Sequence, residues 1–206
     1  MDALSRKIEI MILPIAAYGS PVLKKKAEDI SKDHPKIDEL LENMFETMYN
    51  ASGVGLAAPQ IGLSIRLFIV DAKPFSEDES LNELEKKELE AFKRVFINPK
   101  IIEENGIEWD FNEGCLSIPD VHEDIFRKPE ITVEYLDENF TLQKEKLSGL
   151  AARVVQHEYD HIEGVLFTDR ISSLKKRLIK NKLTNISKGK IEVGYRMKYP
   201  LAKKIR

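Results

Sequence analysis

The sequence contains one cysteine, one tryptophan and no long hydrophobic run. Cys115 has no second cysteine in the chain to pair with, so an internal disulfide is excluded and a reducing compartment, the cytoplasm, is expected. The apolar run at residues 11–17 is interrupted by Pro14 and is far shorter than the roughly 20 residues of a membrane span. Residues 1–10 mix acidic and basic side chains, so neither a signal peptide nor a membrane partner is expected.

Charge is unevenly distributed along the chain. The 206 residues are 42% apolar and 33% charged, which predicts one folded domain over residues 1–206. Residues 170–206 hold 13 Lys and Arg against one acidic residue, Glu192, so this basic tail carries +12 and the remainder carries −15. Residues 73–93 are acidic and have few apolar positions, which predicts an exposed, partly helical insertion outside the core.

Hydrophobic spacing predicts a mixture of helices and strands. Apolar residues three and four apart follow Pro35 and predict a helix that ends near Ala51. A hairpin turn is predicted at residues 137–139. Short apolar runs rich in β-branched residues predict strands at 65–70, 95–102, 107–111, 131–136 and 140–147.

The segment 148–162 predicts a helix that carries two histidines on its apolar stripe, with Ser148 as N-cap and Gly164 as stop. Four residues separate His157 from His161, which is nearly one full turn and about 6 Å along the axis, so both imidazoles face the same side. With Glu158 they form the pattern HExxH, in which the histidines hold a metal and the glutamate handles the proton of its bound water.

A catalytic metal of this kind takes three protein ligands and leaves one position open. The extension HxxGxxH would supply a third histidine, but here Phe167 occupies that position. Cys115 follows a glycine, and its thiolate suits a soft or borderline ion, so we predict it as the third ligand. Two competing hypotheses are an HExxH endopeptidase with a downstream ligand such as Glu192 and a non-enzymatic metal-binding or ribosome-associated module.

Three segments together resemble the motifs of the peptide deformylase family, in the family's order. They are residues 53–60 (GVGLAAPQ), 113–117 (EGCLS) and 156–161 (QHEYDH). The similarity extends from about Met11 to at least Phe167. We therefore expect an α+β fold in which antiparallel strands pack around a central helix carrying HExxH. The implied reaction is hydrolysis that releases formate from the formylmethionine of newly synthesised polypeptides.

The resemblance also implies roles for individual residues. Glu158 matches the glutamate that takes a proton from the bound water and passes it to the departing amine. The Gln60 side chain and the Leu116 backbone N–H match the groups that stabilise the oxyanion. The implied cofactor is Fe²⁺, for which Zn²⁺, Ni²⁺ or Co²⁺ can substitute, although the ligands suit zinc as well as iron. Its ligands would be Cys115, His157 and His161.

Other positions match groups around the family's site. Glu113 and Arg127 match a pair that restrains the metal-binding segment. His122 departs from the family, because many relatives have arginine there, so substrate contacts at this position are not carried over. The residues expected to line the substrate are Gly53, Val54, Gly55 and Gly114.

The basic tail is outside these motifs. Ile171, Leu174, Leu178 and Ile186 mark the apolar side of a predicted helix whose other side carries lysines. One interpretation is a helix docked on the acidic body with its lysines in solvent. The other is that residues 170–206 attract the enzyme to ribosomal RNA phosphates, where nascent chains emerge.

Overall fold

The computed structural model describes residues 10–201, so the charged start at residues 1–9 and the last five residues of the basic tail are outside the described part. No helix within this range is long and apolar enough to cross a membrane. The helices are α1 Ile37–Asn50, α2 Glu83–Glu90, α3 Gly149–Ile162, α4 Phe167–Arg170 and α5 Ser173–Ser187. The strands are β1 Ile15–Ala16, β2 Gly55–Ala57, β3 Leu67–Asp71, β4 Lys93–Asn105, β5 Trp109–Cys115, β6 Ile118–Arg127, β7 Glu130–Leu136, β8 Leu142–Ser148 and β9 Met197–Lys198.

The strands form one large sheet and two pairs. The large sheet is antiparallel throughout and has the order β2-β3-β4-β7-β8, with β2 at one edge. Strands β5 and β6 form an antiparallel hairpin. Strands β1 and β9 pair in parallel and join the two ends of the described chain. The expectation of an α+β fold with antiparallel sheets is confirmed, with this short parallel pair as an exception.

Helix α3 packs against the large sheet. Its apolar residues Ala152, Val155 and Ile162 are fully buried in a cluster that includes Phe68 and Phe96 of the sheet. The helix begins after Ser148 as expected, although the Ser148 side chain makes no capping hydrogen bond. Gly164, just beyond its end, has a φ of +73°, a conformation that glycine adopts without strain. The sheet and this packing fix one face of α3 and leave another for the site.

Most of the predicted elements are present. Helix α1 lies where the apolar spacing predicted it, with Leu41, Met44 and Met48 buried. Each predicted strand overlaps one of β3, β4, β5, β7 and β8, and the turn between β7 and β8 is stabilised by Asp137, whose Oδ1 accepts hydrogen bonds from the backbone N–H groups of Asn139 and Thr141. Strand β6 was not predicted, because Pro119 and several charged residues obscure its apolar pattern.

Two expectations need correction. Residues 73–93 are largely exposed and contain α2, but Leu89 and Phe92 are buried in the core, so this insertion contributes to the core after all. In the tail, Leu174 and Leu178 are exposed by 60% and 74%. Ile171 and Ile186 of the predicted stripe are buried, and the face of α5 that packs on the body carries Ile186 together with Ile179 and Leu183.

Candidate metal centre

The fold brings together Cys115, His157 and His161. One potential ligand atom from each residue lies within 4.8 Å of the others. Cys115 is the last residue of β5, and its Sγ is 3.2 Å from His161 Nε2. The histidines project from successive turns of α3, and their ring centroids are 5.2 Å apart. Such a set of one thiol and two imidazoles has the donor chemistry of a zinc or iron site.

Behind His157 lies a buried ion network centred on Glu113. A Glu113 oxygen is 2.9 Å from His157 Nδ1, which leaves Nε2 as the nitrogen available for a metal. Arg127 donates to both Glu113 oxygens at 2.7 and 2.9 Å and to Asp160 at 2.7 Å. Burial opposes ionisation of Glu113, but the hydrogen bonds with Arg127 and His157 outweigh it and hold the pKa of its carboxyl well below the ordinary value.

Glu158 lies on α3 next to His157 and, unlike Glu113, forms no ion pair with another of residues 10–201. Its side chain is buried, and its Oε2 has no hydrogen-bond partner among residues 10–201. Burial raises the pKa of Glu158 to about 7. Burial also lowers the pKa of His161, which favours the neutral imidazole that binds metals. For His157, hydrogen bonds to Cys115 and Glu113 outweigh burial and raise the pKa.

Gln60 and Leu116 are the two residues expected to supply N–H donors near the thiol. The Gln60 side chain is buried, and the Ala57 N–H donates to its Oε1 at 2.8 Å, which directs its Nε2 toward Cys115 Sγ, 3.6 Å away. Leu116 is the residue directly after Cys115, in the turn that joins β5 to β6. The Gln60 amide is therefore fixed near the thiol, and the Leu116 backbone N–H follows Cys115 directly in sequence.

A cavity of about 480 Å³ opens next to this cluster. A Cβ on Gly55 would lie 2.5 Å from Glu158 Oε1, and a Cβ on Gly53 would lie 2.8 Å from the Leu116 side chain. These glycines are thus required for close packing against functional groups of the site itself. Gly114 is in similar contact with the His122 ring. The lining includes all four expected substrate-lining residues, Gly53, Val54, Gly55 and Gly114.

Sequence reasoning missed three residues of the site. Arg153 is buried, donates to Glu113 at 3.1 Å and lies over the Trp109 ring. It precedes His157 by four residues, so extending the histidine spacing one turn back would have found it. Asp160 lies within the HExxH segment itself and binds Arg127 and Arg170. Tyr195 lines the cavity from the basic tail, where no motif marks it.

The alternative ligand positions do not join the cluster. Phe167 occupies the third-ligand position of the HxxGxxH pattern, and its ring stacks near His157 with centroids 6.3 Å apart. Glu192, which the endopeptidase hypothesis would need, is exposed. Among residues 10–201, the group that could hold a metal contains neither of them.

Comparisons with known proteins agree on one family. The model of the family described as polypeptide deformylase matches residues 12–177. A peptide deformylase from Christiangramia forsetii is 68% identical over 95% of this chain and its own full length, and one from Flavobacterium johnsoniae is 62% identical with the same coverage.

Solved structures agree as well. The crystal structure of a peptide deformylase from Legionella pneumophila matches with a TM-score of 0.72 and 34% identity, over 87% of this chain and 98% of that one. The Thermotoga maritima peptide deformylase matches with a TM-score of 0.68 and 38% identity, over 79% and 99%. This chain belongs to the peptide deformylase family, the hydrolases that remove the formyl group from the N-terminal methionine of nascent polypeptides.

Proposed function

We propose that this chain, as a single catalytic domain over residues 1–206, deformylates nascent polypeptides at a metal centre formed by Cys115, His157 and His161. The observation that carries the proposal is the approach of three ligand atoms to within 4.8 Å of one another, beside a buried carboxylate oxygen of Glu158 that has no partner among the described residues. Three protein ligands with an open fourth position are typical of a catalytic ion. In this proposal α3 is the central, metal-bearing helix of the fold.

The proposed ion is Fe²⁺, with Zn²⁺, Ni²⁺ or Co²⁺ as functional substitutes. A divalent ion held there supplies Lewis acidity that polarises the formyl group and makes water more acidic. Glu113 holds the His157 ring in the required tautomer, and Arg127 holds Glu113. Glu158 accepts a proton from the attacking water and delivers it to the departing amine nitrogen, and its buried carboxylate oxygen, unpaired among residues 10–201, is free for both steps.

Water attack on the formyl carbon places negative charge on the formyl oxygen. The Gln60 amide and the Leu116 backbone N–H are the proposed donors to that oxygen. Gln60 is well suited because the Ala57 N–H already holds its amide in one orientation, and a preorganised donor stabilises an oxyanion best.

The substrate backbone is proposed to lie along Gly53–Gly55 and Gly114. Strand β2 is at the edge of the large sheet, and an edge strand offers backbone groups for an extended peptide. The partly buried Val54 and the neighbouring cavity lining would contact the methionine side chain.

The test is anaerobic purification with metal analysis, followed by measurement of formate released from formyl-Met-Ala-Ser. We expect about one metal per chain and stoichiometric formate. Cys115→Ser should lose most metal or most activity, because a hydroxyl is a poorer ligand for a soft or borderline ion. A fully loaded, fully active serine variant would remove Cys115 from the centre.

Iron can be tested separately from the other ions. If the native ion is Fe²⁺ next to a thiolate, air or peroxide should inactivate it faster than the zinc or nickel form, because zinc and nickel are not readily oxidised there. Equal rates of loss in the three forms would contradict iron as the vulnerable component.

A cytoplasmic location and an association with ribosomes are also proposed. The buried stripe of α5 docks the helix on the body, and Arg177, Lys180 and Lys182 are exposed on its other faces. A basic surface of this kind would raise the rate of encounter with RNA phosphates, close to the emerging substrate.

The association can be tested by removing the charges or the whole tail. Removing charges is preferable, because a truncation after Ser173 would also delete β9. Changing Arg177, Lys180 and Lys182 to Gln should weaken ribosome co-sedimentation several-fold while a short formyl peptide is cleaved normally. Binding of the unaltered protein should fall steeply between about 50 and 200 mM salt. The control changes Lys32, Lys87 and Lys100 to Gln, which removes the same charge from the body. Equal loss in both variants would contradict a specific role of the tail.

A further inference from the structure

The turn that follows Cys115 is held by both ends of the chain. Cys115 pairs with Ile118 across the β5–β6 hairpin, so Leu116 and Ser117 are the two residues of the turn and their carbonyl groups project outside the ladder. The Tyr18 N–H donates to the Ser117 carbonyl oxygen at 2.8 Å. The Tyr195 hydroxyl donates to the Leu116 carbonyl oxygen, also at 2.8 Å.

Tyr195 reaches this turn because the chain doubles back after α5. Ile15 N–H donates to the Arg196 carbonyl at 2.9 Å, and Ala17 N–H donates to the Lys198 carbonyl at 3.0 Å. These two bonds fix the backbone just before β9 and at its last residue, directly after Tyr195. Tyr195 is partly buried, packs against a core cluster of the protein and lines the cavity.

We propose that Tyr195 is a positioning residue for deformylation, which orients the Leu116 peptide so that its N–H faces the developing oxyanion. This inference rests on the proposed function, in which that N–H is one of the two oxyanion donors. Because a peptide unit is planar, fixing the Leu116 carbonyl fixes the whole plane between residues 116 and 117. The donor N–H belongs to the preceding peptide plane, between residues 115 and 116. Its orientation relative to the fixed plane depends only on the φ and ψ angles of Leu116.

The orientation of the Leu116 N–H matters because a hydrogen-bond donor stabilises an oxyanion only when it points at the developing charge. Complete removal of one such donor typically costs 10²–10³-fold in kcat. Loss of the Tyr195 hydroxyl leaves the donor present but less well held, so a smaller effect is expected. The predicted loss is about tenfold in kcat, which corresponds to about 1.4 kcal/mol of transition-state stabilisation.

The experiment compares Tyr195→Phe with Tyr199→Phe in the full-length, metal-loaded protein. Tyr199 lies on the same segment, its ring packs against Gly189, and it is not among the residues that line the cavity. For Tyr195→Phe we expect kcat to fall about tenfold, with KM for formyl-Met-Ala-Ser within twofold and metal content and melting temperature unchanged. Tyr199→Phe should match the unaltered protein in all four measurements.

Three results would overturn the inference. Unchanged kcat would show that the hydroxyl is not needed, and a raised KM with unchanged kcat would make Tyr195 a substrate contact. Loss of metal or of melting temperature in proportion to the loss of activity would make it a packing residue. Glu158→Gln is measured in the same series: if it retains turnover, the proposed function fails, whereas an inactive Glu158→Gln beside a fully active Tyr195→Phe removes the Tyr195 inference alone.

Discussion

Helices α3 and α5 are nearly equal in length but differ in what surrounds their polar residues. Nine of the 14 residues of α3 are buried, and these include Arg153, Glu158 and Asp160. In α5 only four of 15 residues are buried, and none of those is charged. The buried Arg153 and Asp160 of α3 therefore depend on partners inside the protein and Glu158 is buried without one among residues 10–201, whereas most charged side chains of α5 face solvent.

The difference determines what a single substitution can do. A buried charge that loses its partner bears the full cost of desolvation, which is several times the net worth of an exposed ion pair. Burial also separates the two helices in function. Burial can raise the pKa of a carboxylate toward the pH of the solution, whereas an exposed lysine acts only through its electrostatic field. Three predictions probe this comparison.

The largest expected effect is on turnover. Glu158→Gln keeps the size of the side chain but removes the proton acceptor, so hydrolysis of a formyl peptide should fall by at least about 10²–10⁴-fold while metal content and fold are kept. The measurement is formate release at saturating peptide. Glu192→Gln, at an exposed glutamate, is the matched control and should be fully active. Substantial turnover by Glu158→Gln would end the proposed role of this carboxylate.

The second prediction concerns stability. Arg127→Met leaves Glu113 and Asp160 buried with less positive charge, so the free energy of unfolding of the metal-loaded protein should fall by about 3–5 kcal/mol. Lys175→Met removes the partner of Glu123 in an ion pair that keeps contact with solvent, and the free energy of unfolding measured in urea should fall by no more than about 1 kcal/mol. Similar losses of unfolding free energy in the two variants would show that burial does not determine how much an ion pair contributes to stability here.

The third prediction uses two leucines of one helix. Leu183 is 7% exposed and Leu178 is 74% exposed. Leu183→Ala should lower the free energy of unfolding by about 2–5 kcal/mol through lost burial and a cavity. Leu178→Ala makes the same chemical change with the same helix propensity, and its effect should stay within about 0.5 kcal/mol. A large loss at Leu178 instead would mean that the exposed side of α5 is covered in solution.

The sequence was most informative where one element carries several signals. In α3, the apolar stripe, the glycine stop and the HExxH spacing all indicate the same helix. In the basic tail, the predicted stripe was only partly right: Ile171 and Ile186 are buried but Leu174 and Leu178 are exposed, because a second stripe through Ile179 and Leu183 fits helical spacing equally well. Which of them is buried depends on the surface of the body, and that surface exists only in the folded protein.

Within the site, too, some features have a signature in the sequence and others depend on the folded structure. Cys115, His157 and His161 could be assembled from motifs, since their chemistry restricts what they can do. The contact of Tyr195 with Leu116 joins residues 79 positions apart through a backbone carbonyl. Every residue except proline has the same backbone groups, so such an acceptor carries no signature in the sequence. Positions of this kind become visible only when the packing of the chain is known.

The parallel pairing of β1 with β9 has a consequence for the order of folding. Its partners are Ile15 with Met197 and Ala16 with Lys198, so nearly the whole chain must be synthesised before this contact can form. Contacts between such distant positions are slow to close and form late. During its own synthesis, this enzyme therefore cannot pair β1 with β9 until residue 198 has been added to the chain.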